Sequence, residues 1–285
     1  MWILFTLFAS VFESAKDTFG KLSSIKTDEF TSAFMLHAIS MILLIPTLFL
    51  FPIPKLTSSF WMGSAAFVFI TPTWTIFYMK ALKESPLSIS LPMMAFNPIF
   101  TGLLAYVFGG KPLSVLGWIG ALCISIGIYL NNFKRHQSIF QPFQSILKEP
   151  GARHMLLVAL LWSIGAYASK LRVDGSNALF STFSGSIIGV VTIFIAAVLS
   201  KKTIAFSVIK KHNLLLLPVG ICYFLATYFS NVALSVGSAA TVFTLKRSSI
   251  VLSSLSGKFL FKEQFSGWKY IALGLIGAGM LCISL

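Results

Sequence analysis

Residues 78–130 read YMKALKESPLSISLPMMAFNPIFTGLLAYVFGGKPLSVLGWIGALCISIGIYL, and residues 230–282 read SNVALSVGSAATVFTLKRSSIVLSSLSGKFLFKEQFSGWKYIALGLIGAGMLC. Laid over each other at a constant offset, the two stretches align without a gap. Ala81-Leu82 falls on Ala233-Leu234, Ile119 on Ile271 and Gly127 on Gly279. Lys111 falls on Glu263, just before the last apolar run of each half. Identities are few, but the unbroken register points to a duplicated unit.

The unit is built of membrane helices. A helix needs about 20 apolar residues to cross the hydrocarbon. Ten segments qualify: Trp2–Gly20, Phe30–Phe51, Phe60–Ala81, Leu87–Phe108, Leu113–Leu130, His154–Leu171, Leu179–Leu199, Leu214–Leu234, Ala239–Phe261 and Tyr270–Leu285. A transmembrane barrel would show short alternating segments instead of continuous apolar runs. The longest polar stretch, Asn131–Arg153, lies mid-chain. The expected organisation is therefore a first five-span repeat over residues 1–133, a polar connection over 134–153, and a second repeat over 154–285. A unit with an odd number of spans inserts its two copies in opposite orientations. The expected fold is all-α, with ten transmembrane helices in two inverted five-helix repeats and a site near the midplane between them.

Composition agrees with this architecture. Of 285 residues, 56% are hydrophobic and only 11% charged, against about 25% charged in soluble domains. Mean hydropathy is +0.86. The 22 Lys+Arg far exceed the 8 Asp+Glu. Most of these bases sit between apolar runs, so they face anionic headgroups, and nucleic acid is excluded as a partner. Cys123, Cys222 and Cys282 lie inside apolar runs without a CxxC pair, which indicates neither a disulfide framework nor a zinc site. His37, His136, His154 and His212 are scattered. With no phosphate loop and no nucleophile elbow, the chain is expected to be no enzyme and to need no cofactor.

These features resemble the drug/metabolite transporter superfamily in its ten-span EamA-type form. The resemblance rests on the two half-endings. One runs from Ala81-Leu82 through Asn97-Pro98 to Gly117, Gly120 and Gly127. The other runs from Ala233-Leu234 through Phe261-Lys262-Glu263 to Gly274, Gly277 and Gly279. Lys111 departs from the family, which usually has an acid there. The glycines also have a plain packing role, because small residues let membrane helices approach closely. The resemblance implies an integral, multi-pass protein of the cell inner or plasma membrane, working by alternating access.

The residues that carry most information are the ionisable ones inside spans. A Lys or Arg at a helix centre costs roughly 2.5–3.5 kcal/mol, and the ninth span holds two, Lys246 and Arg247. Glu13 and Asp17 are the acids clearly inside a span; Lys16 lies beside them, Lys170 is its rough counterpart in the second half, and Lys80 ends the third span. Base exceeds acid, which suits an anionic substrate. The Lys246-Arg247 pair also resembles the triose-phosphate and sugar-phosphate branch of the superfamily, where such a pair grips the substrate phosphate.

A second resemblance competes. The stretch FESAKDTFGK, with Glu13 followed by Lys21, is similar to the first span of small multidrug-resistance proteins. There a membrane glutamate binds a proton or a cationic substrate. Lys16, one turn away, offers Glu13 an ion pair instead. Among span aromatics, Trp74, Phe77, Tyr78, Phe96, Tyr223 and Tyr228 are candidates to line a cavity, and Asn97 and Asn231 are the rarer polar choices.

The expected function is secondary transport of small organic anions, phosphorylated metabolites included. The candidate substrate-binding residues are Lys246, Arg247, Lys16, Lys170, Glu13, Asn97, Asn231, Tyr78 and Tyr228. The alternative is a proton-coupled exporter of cationic or amphipathic compounds using Glu13. A membrane enzyme or lipid-handling scaffold is a weaker rival, because no nucleophile–base or metal set appears in the spans. Expected partners are the small-molecule substrate, membrane lipids, and a coupling proton or exchanged substrate, with the chain acting as a monomer or homodimer.

Loop charge sets an expected orientation. Thirteen Lys and Arg follow odd-numbered spans, against Lys55, Lys111 and Arg172 after even-numbered ones. The positive-inside rule places the first set in the cytoplasm and both termini outside, whereas the family is usually drawn with both inside. An alkaline phosphatase fused after Leu285 should therefore be active. Cytoplasmic fluorescence of a green fluorescent fusion at the same point would reverse the assignment.

Overall fold

The computed structural model describes residues 1–24, 27–84, 91–108, 110–131, 148–252, 255 and 267–285. The elements are α1 (Trp2–Ser24), α2 (Glu29–Leu44), α3 (Thr47–Leu50), α4 (Ser58–Glu84), a 3₁₀ turn (Leu91–Ala95), α5 (Phe96–Val107), α6 (Val115–Asn131), α7 (Pro150–Asp174), α8 (Ala178–Leu199), α9 (Phe206–Val236), α10 (Ala239–Lys246) and α11 (Gly267–Ser284). No strand occurs among the described residues. Most of the connecting segment, 132–147, lies outside them, as do Glu263 and the side chain of Lys80.

Local chemistry explains where the helices begin. Asp28 caps α2 by accepting from the Thr31 N–H at 2.9 Å. Asn177 does the same for α8 through Phe180 at 2.8 Å, and Ser238 for α10 through Thr241 at 3.1 Å. Each cap satisfies a donor that hydrocarbon cannot. Pro72 and Pro218 lie inside α4 and α9, positions that membrane helices tolerate better than soluble ones.

Two of the expected spans are interrupted. The second stops at Ile45-Pro46 and resumes as α3. The ninth, expected as one helix over Ala239–Phe261, breaks after Lys246. There Arg247 and Ser248 form a turn with i→i+3 bonds to Thr244 and Leu245. Five helical stretches among the described residues are long and apolar enough to cross a membrane: Phe30–Leu50, Pro150–Asp174, Ala178–Leu199, Leu216–Val236 and Gly267–Ser284. Met93–Val107 and Val115–Asn131 are shorter apolar helices. Large apolar side chains such as Phe69 and Leu199 stand exposed, as lipid contact requires. The fold is that of an all-α, polytopic integral membrane protein.

The chain forms two compact units. Unit 1 comprises Met1–Pro72 and Ala168–Gly237, and unit 2 comprises Thr73–Tyr167 and Ser238–Leu285. Each gathers segments from both halves of the sequence, and α4 and α7 contribute to both.

In unit 1, α1 packs along α9, and α2 packs against α8 and α9. Phe5, Phe8 and Phe12 surround Phe229 at centroid distances of 6.4, 5.5 and 5.7 Å. Arg172 requires a correction here. Read as a loop charge, it is instead one of the most buried large side chains, only 2% exposed. The apolar run ends at Leu171, but the helix carries on to Asp174. Gly63 and Gly185 leave the slot that the side chain fills. Its Nη2 donates to the Ser181 carbonyl and to Ser184 Oγ (2.7 Å), and the guanidinium lies 4.5 Å from the Phe67 ring centroid. Removing Arg172 from the loop tally strengthens the charge bias.

In unit 2, Ala81, Met93, Met94, Met155, Val158 and Ala159 form a buried cluster. Alongside it α6 and α11 pack closely through small residues. A Cβ on Gly120 would lie 2.6 Å from the Gly279 carbonyl, and one on Gly127 would lie 2.9 Å from the Ala272 carbonyl. Higher numbers on one helix meet lower numbers on the other, so the two run antiparallel. By the offset that aligns the two stretches, Gly120 corresponds to Ala272 and Gly127 to Gly279. The contact is therefore its own image under the offset that aligns the two stretches.

Candidate functional site

The break after α10 puts Lys246 and Arg247 at the end of an eight-residue helix. A matching feature lies in the first half. The 3₁₀ turn Leu91–Ala95 leads directly into α5, and by the repeat offset Ala95 corresponds to Arg247. Both spans thus tighten at equivalent positions. Pro92 lies within the first turn, whereas TLKRSS contains neither Pro nor Gly. Paired breaks at corresponding positions of two halves are a recurrent mark of carrier binding sites.

Asn97, on the first turn of α5, is 1% exposed. Its Nδ2 donates to the Ala159 carbonyl at 2.9 Å and to Ser163 Oγ at 2.8 Å. Its Oδ1 accepts from Arg247 Nε at 2.7 Å. Thr101 Oγ1 donates to the Asn97 carbonyl at 2.8 Å, and Tyr167 Oη donates to the Thr101 carbonyl at 2.6 Å. The network joins α5, α7 and the α10 break. It fixes the Asn97 amide, and the amide fixes one edge of the guanidinium. Replacing Asn97 with Ala leaves Ser163, the Ala159 carbonyl and Arg247 each short of a partner. We expect a loss of about 1–2 kcal/mol, read as a lowered thermal transition of the purified protein; an unchanged transition would show that the network is not structural.

Aromatic side chains hold the face of the same guanidinium. Arg247 Cζ lies 4.9 Å from the Trp162 ring centroid. Tyr78 stacks on Trp162 at 6.2 Å, and Trp74 meets it edge-on at 5.4 Å. Lys246 Nζ lies 5.6 Å from the Phe243 ring. Unit 2 therefore brings together four sequence candidates: Asn97, Tyr78, Lys246 and Arg247. Trp162 and Ser163 were not among them. The signal was a single serine in the run ALLWSIGAYA, four residues from Ala159 and four from Tyr167, on one helix face.

The other candidates lie in unit 1. Lys16 Nζ is 2.6 Å from Glu13 Oε1 and 3.1 Å from Asp17 Oδ1. Glu13 is thus held by a cation in its own helix. Lys170 donates to Asp174 at 2.7 Å and to the Leu234 carbonyl at 2.8 Å. Asn231, 5% exposed, donates to Thr182 Oγ1 at 2.9 Å. Tyr228 packs against Phe224 and Phe229. No group of three or more metal-ligating side chains occurs among the described residues.

Long apolar helices with exposed apolar side chains are those of a membrane protein. The chain belongs to the EamA-like transporter family, whose model matches residues 1–133 and 150–285. It is similar to the probable 4-amino-4-deoxy-L-arabinose-phosphoundecaprenol flippase subunit ArnE of Yersinia pestis and of Yersinia pseudotuberculosis, 34% identical over 53 residues. Those residues are 19% of this chain, and the match spans about half the length of these relatives, 46%. A solved protein structure shares the fold, with a TM-score of 0.79 and 17% identity over 99% of this chain and 95% of that one.

Proposed function

We propose that the protein is a secondary transporter of small organic anions, phosphorylated metabolites included, working by alternating access between two inverted repeats at residues 1–133 and 154–285. The observation that carries this reading is Arg247. It sits at a helix break, with its Nε on buried Asn97 and its face on Trp162. A guanidinium oriented on one edge and one face is prepared for planar, two-pronged contact with phosphate or carboxylate. Lys246 adds a second, compact charge. Tyr78 and Trp74 flank Trp162 and would receive the less polar part of a solute. The name of the Yersinia relatives includes a phosphate-linked amino-sugar lipid, in which a phosphate and an amine are both present. Membrane lipids and an exchanged solute or a proton complete the proposed set of partners.

The test is counterflow in proteoliposomes with labelled glycerol 3-phosphate and succinate as anionic probes and tetraphenylphosphonium as the cationic one. Saturable counterflow of an anion is expected. Movement of tetraphenylphosphonium alone would favour the cation-exporter reading. Glu13 sharpens the contrast. Because Lys16 already engages it, Glu13→Gln should leave anion counterflow within about threefold of wild type, a change of under 1 kcal/mol. Loss of all transport in that variant would return Glu13 to the substrate site.

A further inference from the structure

Unit 1 contains a line of polar side chains that the anion site does not use. On α9, Tyr223, Thr227 and Asn231 recur every four residues and share one face. On α8, Thr182, Ser186 and Gly189 share another. On α2, His37 and Ser40 lie one turn apart. These faces meet. Asn231 bonds Thr182, and Ser40 bonds Ser186 at 2.7 Å. His37 is 4% exposed. Its Nδ1 lies 3.4 Å from Tyr223 Oη, with the rings edge-to-face at 5.0 Å.

Hydroxyls and imidazole are costly in hydrocarbon, and intramembrane ionisable groups are functional by default. The seam must serve something small. A Cβ added at Gly189 would fall 2.1 Å from His37 Nδ1, so the ring fills the space that this glycine leaves, and no solute fits there. A proton does. The charged and titratable surroundings are few. α8 carries no charged residue, and α2 carries only Glu29 besides His37. α9 carries Tyr223 with Cys222 and Tyr228 near it and Lys210, Lys211 and His212 toward its start, and Lys16 and Glu13 on α1 and Arg172 on α7 belong to the same unit. Asp17 stands with them, on Lys16.

We propose that His37 is a proton-carrying site, loaded and unloaded through Tyr223 and the hydroxyls of the seam, which couples the carrier cycle to proton movement. The inference rests on the carrier reading but not on the sign of the solute charge. The chemical change is imidazole to imidazolium and back; one N–H bond forms and breaks, and the net charge changes by one.

Two measurements on the full chain test it. First, ring-¹⁵N histidine spectra of the protein in nanodiscs, assigned with His37→Gln, should show a pH-dependent change of the His37 ring between its neutral and protonated forms, with the midpoint displaced in Tyr223→Phe. Second, proteoliposomes loaded with pyranine should report proton movement on addition of whichever probe shows counterflow: glycerol 3-phosphate, succinate or tetraphenylphosphonium. In His37→Gln that proton signal should fall about tenfold or more, while counterflow of the same probe persists. A His37 resonance that does not change with pH, or proton movement retained in His37→Gln, overturns the proposal. If the wild type moves neither anion, the anion reading fails, and the titration alone then decides the case for His37.

Discussion

Arg247→Gln is expected to abolish anion counterflow while leaving a folded protein. Glutamine keeps a polar end that can still reach toward Asn97, so the interior network is largely preserved. The positive charge and the planar fork are lost. A charged hydrogen bond contributes about 1.5–3 kcal/mol, and two such bonds to a phosphate or carboxylate correspond to more than about 100-fold in affinity. The companion Lys246→Gln should cost less, because a single compact charge is lost and the oriented fork stays. Full counterflow in Arg247→Gln, with an unchanged thermal transition, would remove the main support for an anionic substrate.

The second large effect concerns stability. Gly120→Val should destabilise unit 2 by about 3 kcal/mol or more, since overpacking in well-packed interiors costs 1–3 kcal/mol and sometimes exceeds it. The new side chain would meet the Gly279 carbonyl and Ile283 Cγ1, both 2.6 Å from its Cβ, and a carbonyl on a neighbouring helix cannot step aside. Gly277→Ala is the control. Among the described residues nothing lies within 4 Å of a Cβ there, and alanine is the better helix former by up to about 1 kcal/mol. Thermal unfolding in detergent should separate the two variants. Equal transitions would show that the α6–α11 contact does not hold unit 2 together.

That contrast bears on what could be read before the structure. All six marked glycines resembled packing positions. Gly120, Gly127 and Gly279 are packed against a facing helix, whereas Gly274 and Gly277 meet nothing among the described residues. Hydropathy registers only that a residue is small, not which way it points. Helix positions were largely legible, because a long apolar run has one outcome in lipid. The break at Arg247 was not: no Pro or Gly announces it, and it follows from where the cation finds Asn97 and Trp162. Lys170 looked like surplus base because Asp174, four residues on, lay beyond the apolar run. Arg172 was misread for the same reason, since a helix outlasts its apolar stretch when its polar end is buried. Asn97 and Arg247 were each singled out by their cost in hydrocarbon, but their meeting across 150 residues of sequence is a product of tertiary folding.

The self-image contact between α6 and α11 also supplies a ruler. The axis relating the two helices must pass midway between Gly120 and Gly127 on one, at Cys123-Ile124, and midway between Ala272 and Gly279 on the other, at Leu275-Ile276. Those points coincide with the centres of Val115–Asn131 and Gly267–Ser284. For the inverted repeats proposed above the axis lies in the plane of the bilayer, which would put Cys123 at zero depth. A nitroxide attached there becomes the origin from which the immersion of every other position is counted, whichever way round the chain is inserted.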